Sequence, residues 1–287
     1  DVVSAGAMWD WQIAPSLSLT NAVRFDHFAL RQRGELSPDS PYTRRDYTRR
    51  RIGEPSFNSG LVWKATERDT LRLLAARGLR LPSINDLGIQ DRFPSVEGSP
   101  DYFFLGDPRL RASAVSNLEL GWDRSIPELH STLRAAVFVQ RTDDIITNPY
   151  EAEPIPSGDV LVARASNVGR SGAVGGEIGI RGHSPSGFRW NASYAYISVS
   201  DRLSGSSILP WLSFERATPT HVVRLGGGYT WGRFEADLQG RWQSRYRDYA
   251  SDSRTGFVSI IVPDYVQFDA RLGYKLAEGL TVALTAN

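Results

Sequence analysis

The sequence predicts an all-β fold, an antiparallel up-and-down β-barrel that crosses a membrane. Three features carry this prediction. Charged and apolar side chains alternate with a period of two over many short segments. The connections between these segments are short and long in turn, and aromatic residues lie near the segment ends. Membrane barrels combine these features, because they have trimmed turns at one end, large loops at the other and aromatic girdles.

The stretch RFEADLQGRW, residues 233–242, shows the alternation most clearly. Its charged residues occupy one set of alternate positions, and Phe234, Leu238 and Trp242 occupy the other. Successive side chains of a strand point to opposite faces, so this segment has one ionic and one apolar surface. The stretch FDARLGYKL, residues 268–276, repeats the pattern. We expect the apolar surface to face lipid and the following residues to line a hydrated interior: Arg233, Glu235, Asp237, Arg241, Asp269 and Arg271.

The whole chain, read for period two, contains about twelve candidate strands and no convincing helix. A barrel of this kind can form one unit at a length of 287 residues. The candidate strands are 2–14, 17–29, 55–65, 69–80, 115–125, 131–143, 160–182, 187–199, 219–231, 233–246, 264–276 and 280–286.

The connections alternate in length along the chain. The short ones are 14–16, 66–69, 127–130, 184–187, 231–233 and 277–279, and the long ones are 30–54, 81–114, 144–159, 200–218 and 247–263. In a meander, alternate connections lie at opposite ends of the strands. One end is therefore expected to have short turns and the other to have large loops, as in outer-membrane barrels.

Aromatic residues at the apolar positions of the alternation lie near strand ends. They are Trp122, Tyr229, Trp231, Trp242 and Tyr274, and they suit the interfacial girdles of a membrane barrel. A soluble β-sandwich is the alternative, in which the same aromatics fill a core and the charges face water. The asymmetry of the connections favours the membrane barrel.

Composition narrows the functional classes. The formal net charge is +1, which gives no indication of a nucleic-acid partner. Cysteine is absent, so thiolate metal sites and cysteine nucleophiles are excluded. The four histidines, at 27, 130, 183 and 221, have no spacing typical of a metal site. We expect no catalytic constellation, no metal and no cofactor, and therefore a protein that is not an enzyme.

The loop RQRGELSPDSPYTRRDYTRRR, residues 31–51, is the first candidate ligand site. Arginine forks bind carboxylates and phosphates, and aromatic rings stack on flat ligand groups. The loop could capture an anionic chelate, contact the phosphates of lipopolysaccharide, or be a solvated loop without a ligand. Its candidate residues are Tyr42, Arg44, Arg45, Tyr47, Arg49, Arg50 and Arg51.

The loop 81–114 is the second candidate site. An exposed aromatic cluster would offer a platform for a ligand, whereas a buried one would pack the loop on itself. The aromatic residues are Phe93, Tyr102, Phe103 and Phe104.

Four segments resemble the TonB-dependent receptors, outer-membrane transporters of Gram-negative bacteria. They are ARGLRLPSINDLG at 76–88, GDPRLRASAVSNLELGW at 106–122, VFVQRTDDIIT at 137–147 and SNVGRSGAVGGEIGI at 166–180. The second is similar to the Asn-Pro-x-Leu-x-Pro-Glu segment of that family, although Ala112 and Ser113 stand where the family usually has Pro and Glu. The segments follow one another in the family's order and lie on the predicted strands.

This resemblance implies that residues 1–287 are the C-terminal portion of a barrel of about 22 strands. The plug domain, the first strands and the last strand of such a barrel are not recognised in the chain. Family members import a scarce, bulky nutrient with the help of a TonB-type energy-coupling protein, and a ferric siderophore is the leading ligand class. The resemblance also implies a location in the outer membrane. A passive porin and a soluble carbohydrate-binding or hydrolytic β-protein are the alternative functions.

Overall fold

A computed structural model gives the fold. It describes residues 1–287 except 32, 39, 49, 95–100, 148–151, 155–159, 204–212 and 253–255. The described strands are β1 (Val2–Ala14), β2 (Leu17–Ala29), β3 (Arg51–Lys64), β4 (Asp69–Arg80), β5 (Gln90–Phe93), β6 (Asp101–Leu105), β7 (Ser113–Ile126), β8 (Ser131–Asp143), β9 (Ile146–Thr147), β10 (Ala152–Pro154), β11 (Val160–Arg164), β12 (Ser166–Asn167), β13 (Gly169–His183), β14 (Phe188–Leu203), β15 (His221–Trp231), β16 (Phe234–Gln243), β17 (Tyr246–Asp252), β18 (Gly256–Val262), β19 (Tyr265–Ala277) and β20 (Leu280–Ala286).

Twelve of these strands form one antiparallel sheet in the order β1-β2-β3-β4-β7-β8-β13-β14-β15-β16-β19-β20. Within this sheet, each strand pairs with the strand that follows it in chain order. The predicted meander is therefore confirmed. Tight turns join alternate pairs, and residues 187, 232 and 279 in three of them are glycines with a positive φ. Glycine adopts this backbone conformation without the steric cost that a Cβ atom would bring. The long connections all lie at the other end of the strands.

The remaining strands belong to these long connections. One sheet has the order β10-β11-β6-β5, and two pairs join β12 with β9 and β17 with β18. Short helices also occur: α1 (Arg44–Thr48), α2 (Ile84–Gly88), α3 (Phe214–Ala217) and a 3-10 turn at Pro127–Leu129. Among the described segments, no helix is long and apolar enough to cross a membrane.

One predicted strand was wrong. The segment 160–182 is not continuous but is divided into β11, β12 and β13. The break before β13 coincides with Gly169, whose φ is +126°. A Cβ atom there would collide with the backbone oxygen of Arg202, so the chain can turn at this point only without a side chain. Among the described residues, the expectation of no helix fails for the short helices α1, α2 and α3 in the long connections and for the 3-10 turn between β7 and β8.

The large sheet has an apolar face and a polar face, and β16 with β19 shows both. On the apolar face Phe234 lies opposite Tyr274, and Leu238 lies opposite Ala270. The side chain of Leu238 is 54% exposed, as expected of a surface that meets lipid rather than a protein core. The same face carries exposed Leu118, Leu120, Val137, Val139, Val174, Ile178, Leu225 and Leu272.

Ion pairs connect nearby strands on the polar face. Asp237 accepts a hydrogen bond from Arg189 at 2.9 Å, and Arg271 donates to Glu235 at 2.9 Å. Arg241 lies opposite Arg224 of β15. Glu235, Asp237, Arg241, Asp269 and Arg271 therefore share one face, as the alternation predicts. Arg233 precedes β16, which begins at Phe234, and its place on this face stays a prediction.

Aromatic side chains line the apolar face near both ends of its strands. At the short-turn end, Tyr229, Trp231, Phe234 and Tyr274 form a ladder with centroid distances of 5.7, 5.4 and 4.7 Å. Near the long-loop end, the hydroxyl of Tyr194 lies 2.9 Å from Nδ1 of His221. Tyr and Trp combine a polar atom with an apolar ring, which suits the two interfaces of a bilayer.

Candidate ligand-binding surface

Three long loops fold together beyond one end of the large sheet. We name them loop 1 (residues 30–50), loop 2 (81–112) and loop 3 (144–168). Strand β6 of loop 2 pairs in parallel with β11 of loop 3, from Val160 opposite Asp101 to Arg164 opposite Leu105. This pairing joins two segments far apart in sequence, so the loops form one structure rather than separate excursions.

Apolar side chains from all three loops form a buried cluster. It consists of Tyr42 and Tyr47 from loop 1, Phe103 and Leu105 from loop 2 and Val162 from loop 3. The side chains of Tyr47 and Phe103 are only 0% and 1% exposed. These two rings pack the loops on themselves and offer no exposed surface for stacking, so their contact with a ligand stays a prediction without support from the structure. Tyr42 is also buried, with 6% exposure.

Strand pairing explains which loop 2 aromatics are exposed. Phe93 lies opposite Tyr102 at the end of the β5–β6 pair, and side chains alternate between its two faces. Phe103 and Leu105 point into the loop cluster, whereas Tyr102 and Phe104 point away from it. Phe93 packs edge-on against Phe104 at a centroid distance of 5.2 Å. Phe93 and Tyr102 remain 50% and 43% exposed and still offer aromatic surface.

The loop 1 arginines have different environments. Arg44 and Arg45 are exposed, as is Arg51 at the adjoining start of β3, and Arg44 donates to the backbone oxygen of Gly34 at 2.7 Å. Arg50 is partly buried and donates to the backbone oxygen of Leu110, so it ties loop 1 to loop 2. Burial lowers the pKa of the Arg50 guanidinium, and the nearby Asp107 carboxylate opposes that shift. Arg49 lies outside the described residues.

Two further arginines, which are not among the predicted candidate residues, lie beside loop 1. The guanidinium carbons of Arg109 and Arg164 are 5.3 and 5.9 Å from the centroid of the Tyr42 ring. Both arginines are exposed. Burial raises the pKa of the Tyr42 hydroxyl, and Asp107 raises it further, so the phenol stays neutral beside these cations. The basic run PRLR, residues 108–111, was the available sequence signal for Arg109.

The motif residues that carry the family resemblance hold the loops in place. The side chain of Asn167 donates to the backbone oxygens of Arg111 and Asp144 at 3.1 and 2.8 Å. Its oxygen accepts from the backbone nitrogen of Arg111 at 2.8 Å. In loop 2, Ser83 and Asp86 form a capping box at the start of α2. These residues hold the loop scaffold together.

The resulting surface is a cationic and partly aromatic rim on a buried core. Its exposed cations include Arg44, Arg45, Arg51, Arg109 and Arg164, and its exposed rings include Phe93 and Tyr102. Such a surface can bind a bulky anion through charge and ring stacking. No group of three or more His, Asp or Glu side chains that could hold a metal ion occurs in the part of the chain that the structure describes.

Comparison with known proteins identifies the fold. The family described as TonB dependent receptor-like, beta-barrel, matches residues 2–287. The ferric enterobactin receptor of Pseudomonas aeruginosa is 17% identical, with a TM-score of 0.68 over 99% of this chain. The siderophore receptor PirA of Acinetobacter baumannii is 13% identical, with a TM-score of 0.66 over 96% of the chain.

The FrpB iron transporter of Neisseria meningitidis is 15% identical, with a TM-score of 0.62 over 96% of the chain. This chain covers only 38% of the Pseudomonas and Neisseria structures and 40% of the Acinetobacter structure. It therefore spans about two fifths of the length of these proteins. No curated protein matches the sequence.

Proposed function

Because the chain belongs to the TonB-dependent receptor-like β-barrel family, we propose that it is part of an outer-membrane receptor for uptake of a ferric siderophore. In this proposal the apolar face of the twelve-stranded sheet contacts lipid and the polar face contacts the interior of a wider barrel. Energy for transport comes from a TonB-type protein, which contacts a segment outside residues 1–287. Catalysis has no part in this function.

The cationic rim of loops 1, 2 and 3 is the observation that supports this ligand class. Ferric chelates of catecholate or carboxylate groups are bulky and anionic, and guanidinium groups bind such oxygens through charge-assisted hydrogen bonds. Exposed Phe93 and Tyr102 add surface for flat ligand groups. Similar solved structures are described as siderophore receptors and an iron transporter, which agrees with this ligand class.

A passive porin is the second candidate, because a charged barrel interior also suits diffusion of small polar solutes. The folded loop structure favours a receptor over a porin, since a porin needs no ligand-binding surface. Uptake that persists without the energy-coupling protein would favour the porin.

The test is ligand binding and uptake by the complete receptor. We replace the exposed rim arginines by Gln in two sets, Arg44, Arg45 and Arg51 in one and Arg109 and Arg164 in the other. Arg50 is left intact because it holds loop 1 to loop 2. We expect weaker binding of ferric catecholate and carboxylate chelates, and a smaller loss of affinity with added salt than in the parent.

The matched control is Arg68→Gln with Arg124→Gln at the short-turn end, which removes the same number of charges as the second set. It should leave chelate affinity unchanged. If both rim sets keep the parental affinity for every chelate tested, the rim is not a binding surface for iron chelates.

A further inference from the structure

An opposed pair of arginines lies on the apolar face of the large sheet, close to its long-loop end. Arg170 of β13 lies directly opposite Arg202 of β14. Like charges in this arrangement destabilise a sheet unless something neutralises them. Arg141 of β8 lies one row further from the loops, opposite Gly172 of β13. Three guanidinium groups from three adjacent strands therefore share one small area.

The protein neutralises only one of these three cations. Arg141 pairs with Asp143 on its own strand at 2.7 Å. In the part of the chain that the structure describes, no carboxylate lies within ion-pair distance of Arg170 or Arg202. Ser198 and Ser200 are exposed on the same face of β14 and add hydroxyl groups to this area.

The groove between these residues opens onto the apolar face of the large sheet. Its cavity volume is about 360 Å³, and its lining includes the three arginines, Gly172, Val139 and Val174. Gly172 leaves room in the groove, because a Cβ atom there would meet nothing closer than 3.8 Å. Val139 and Val174 lie directly beside the arginines, toward the middle of the apolar face, and are 47% and 52% exposed. A second opposed pair, Arg224 and Arg241, lies on the polar face and therefore not beside these apolar side chains.

A cationic groove at the edge of a lipid-facing surface fits one class of ligand, a molecule with phosphate on its headgroup and acyl chains below it. We propose that Arg170 and Arg202 bind the phosphate groups of an outer-leaflet glycolipid, whose acyl chains lie along Val139 and Val174. Guanidinium forks match phosphate oxygens in bidentate geometry. This proposal rests on the outer-membrane location proposed above, but it places lipid on the sheet rather than on loop 1.

The experiment measures lipid retained by the complete receptor in detergent, using native mass spectrometry. The probes are diphosphoryl lipid A, phosphatidylglycerol and inorganic phosphate. The test variant is Arg170→Gln with Arg202→Gln, and the control is Arg68→Gln with Arg124→Gln on the far end of the sheet. A third variant, Gly172→Val, fills the groove without changing charge. Heat-modifiable migration verifies that each variant is folded.

We expect the parent and the control to retain diphosphoryl lipid A. Affinity should fall at least about tenfold in the double arginine variant, which loses two charge-assisted contacts, and should also fall in Gly172→Val. Equal retention by parent and double variant would overturn the proposal, and so would complete displacement of the lipid by millimolar inorganic phosphate. Preferential retention of phosphatidylglycerol would overturn the choice of lipid.

The same preparations are tested for binding of ferric chelates. Lipid A retention without chelate binding would contradict the proposed receptor function and leave the lipid site intact. Chelate binding without lipid A retention would contradict only the lipid site.

Discussion

Gly106 lies at a point in loop 2 where the chain passes over the end of α2. A Cβ atom there would lie 2.6 Å from the carbonyl carbon of Leu87 and 2.9 Å from the backbone oxygen of Asn85. Backbone cannot move aside as a flexible side chain does, so Gly106→Ala should destabilise the loops by about 1–3 kcal/mol. Gly78→Ala is the control, because a Cβ atom at Gly78 has no neighbour within 4 Å. Denaturant titration of the complete receptor, observed through loop probes, should separate the two variants; equal midpoints would contradict this packing.

Asn167 gives a second prediction at the scale of a residue. Its side chain makes three hydrogen bonds to the backbone of Arg111 and Asp144, which join loop 2 to loop 3. Asn167→Ala leaves these backbone groups without their partner and should cost about 1–3 kcal/mol locally. Hydrogen exchange at Ile145 and Val168 should accelerate. Asn58→Ala, at an exposed position on β3, should have no effect on these amides. Unchanged exchange in Asn167→Ala would show that the loops are held elsewhere.

At the scale of strands, the two faces of β16 should differ in their tolerance of substitution. Leu238→Arg puts a charge on the face that we assign to lipid and should cost roughly 2–4 kcal/mol near the bilayer midplane. Asp237→Asn keeps a polar group beside Arg189 and Arg271 and should cost less than about 1 kcal/mol, because exposed ion pairs contribute little. Folding titrations of the complete barrel in lipid vesicles measure both. Equal costs at the two positions would contradict the assignment of the faces.

Sequence alone predicted the strands of the large sheet well, and the reason is physical. Period-two alternation is imposed by the pleat, and the segments 2–14, 17–29, 69–80, 131–143 and 280–286 have the observed ends. The loops lack such a rule. Alternation cannot show that β11 pairs with β6 rather than continuing into β13, because that pairing depends on contacts between distant segments.

The candidate site was predictable only in part, for the same reason. Aromatic and basic residues have the same appearance in sequence whether they lie in a core or on a surface. Tyr47 and Phe103 were chosen as ligand contacts but fill the loop core, whereas Arg164 was not chosen because it lies on a strand far along the chain from loop 1. The exposed cations at 44, 45 and 51 were predictable, since a cluster of charges cannot be buried without partners.

For the molecule as a whole, the order of the large sheet predicts the behaviour of residues 1–287 produced alone. Strands β1 and β20 are its two edges in the described structure, and their exposed side chains include Val3 and Leu284. Unpaired edge amides cost several kcal/mol each in hydrocarbon and promote aggregation in water. We therefore expect inclusion bodies and ill-defined detergent aggregates, as seen by size-exclusion chromatography. A monodisperse, heat-modifiable monomer would show instead that these strands close a small barrel by themselves.

The parallel pairing of β6 with β11 also determines how an antibody would recognise the loops. Residues 101–105 and 160–164 lie side by side although more than fifty positions separate them in the chain. An antibody that covers this surface must read both segments together, so its epitope is conformational. Antisera raised against a linear peptide of loop 2 would recognise Phe103 and Leu105, which are buried in the folded protein. An antigen that represents this surface would have to present the three loops folded on their strands.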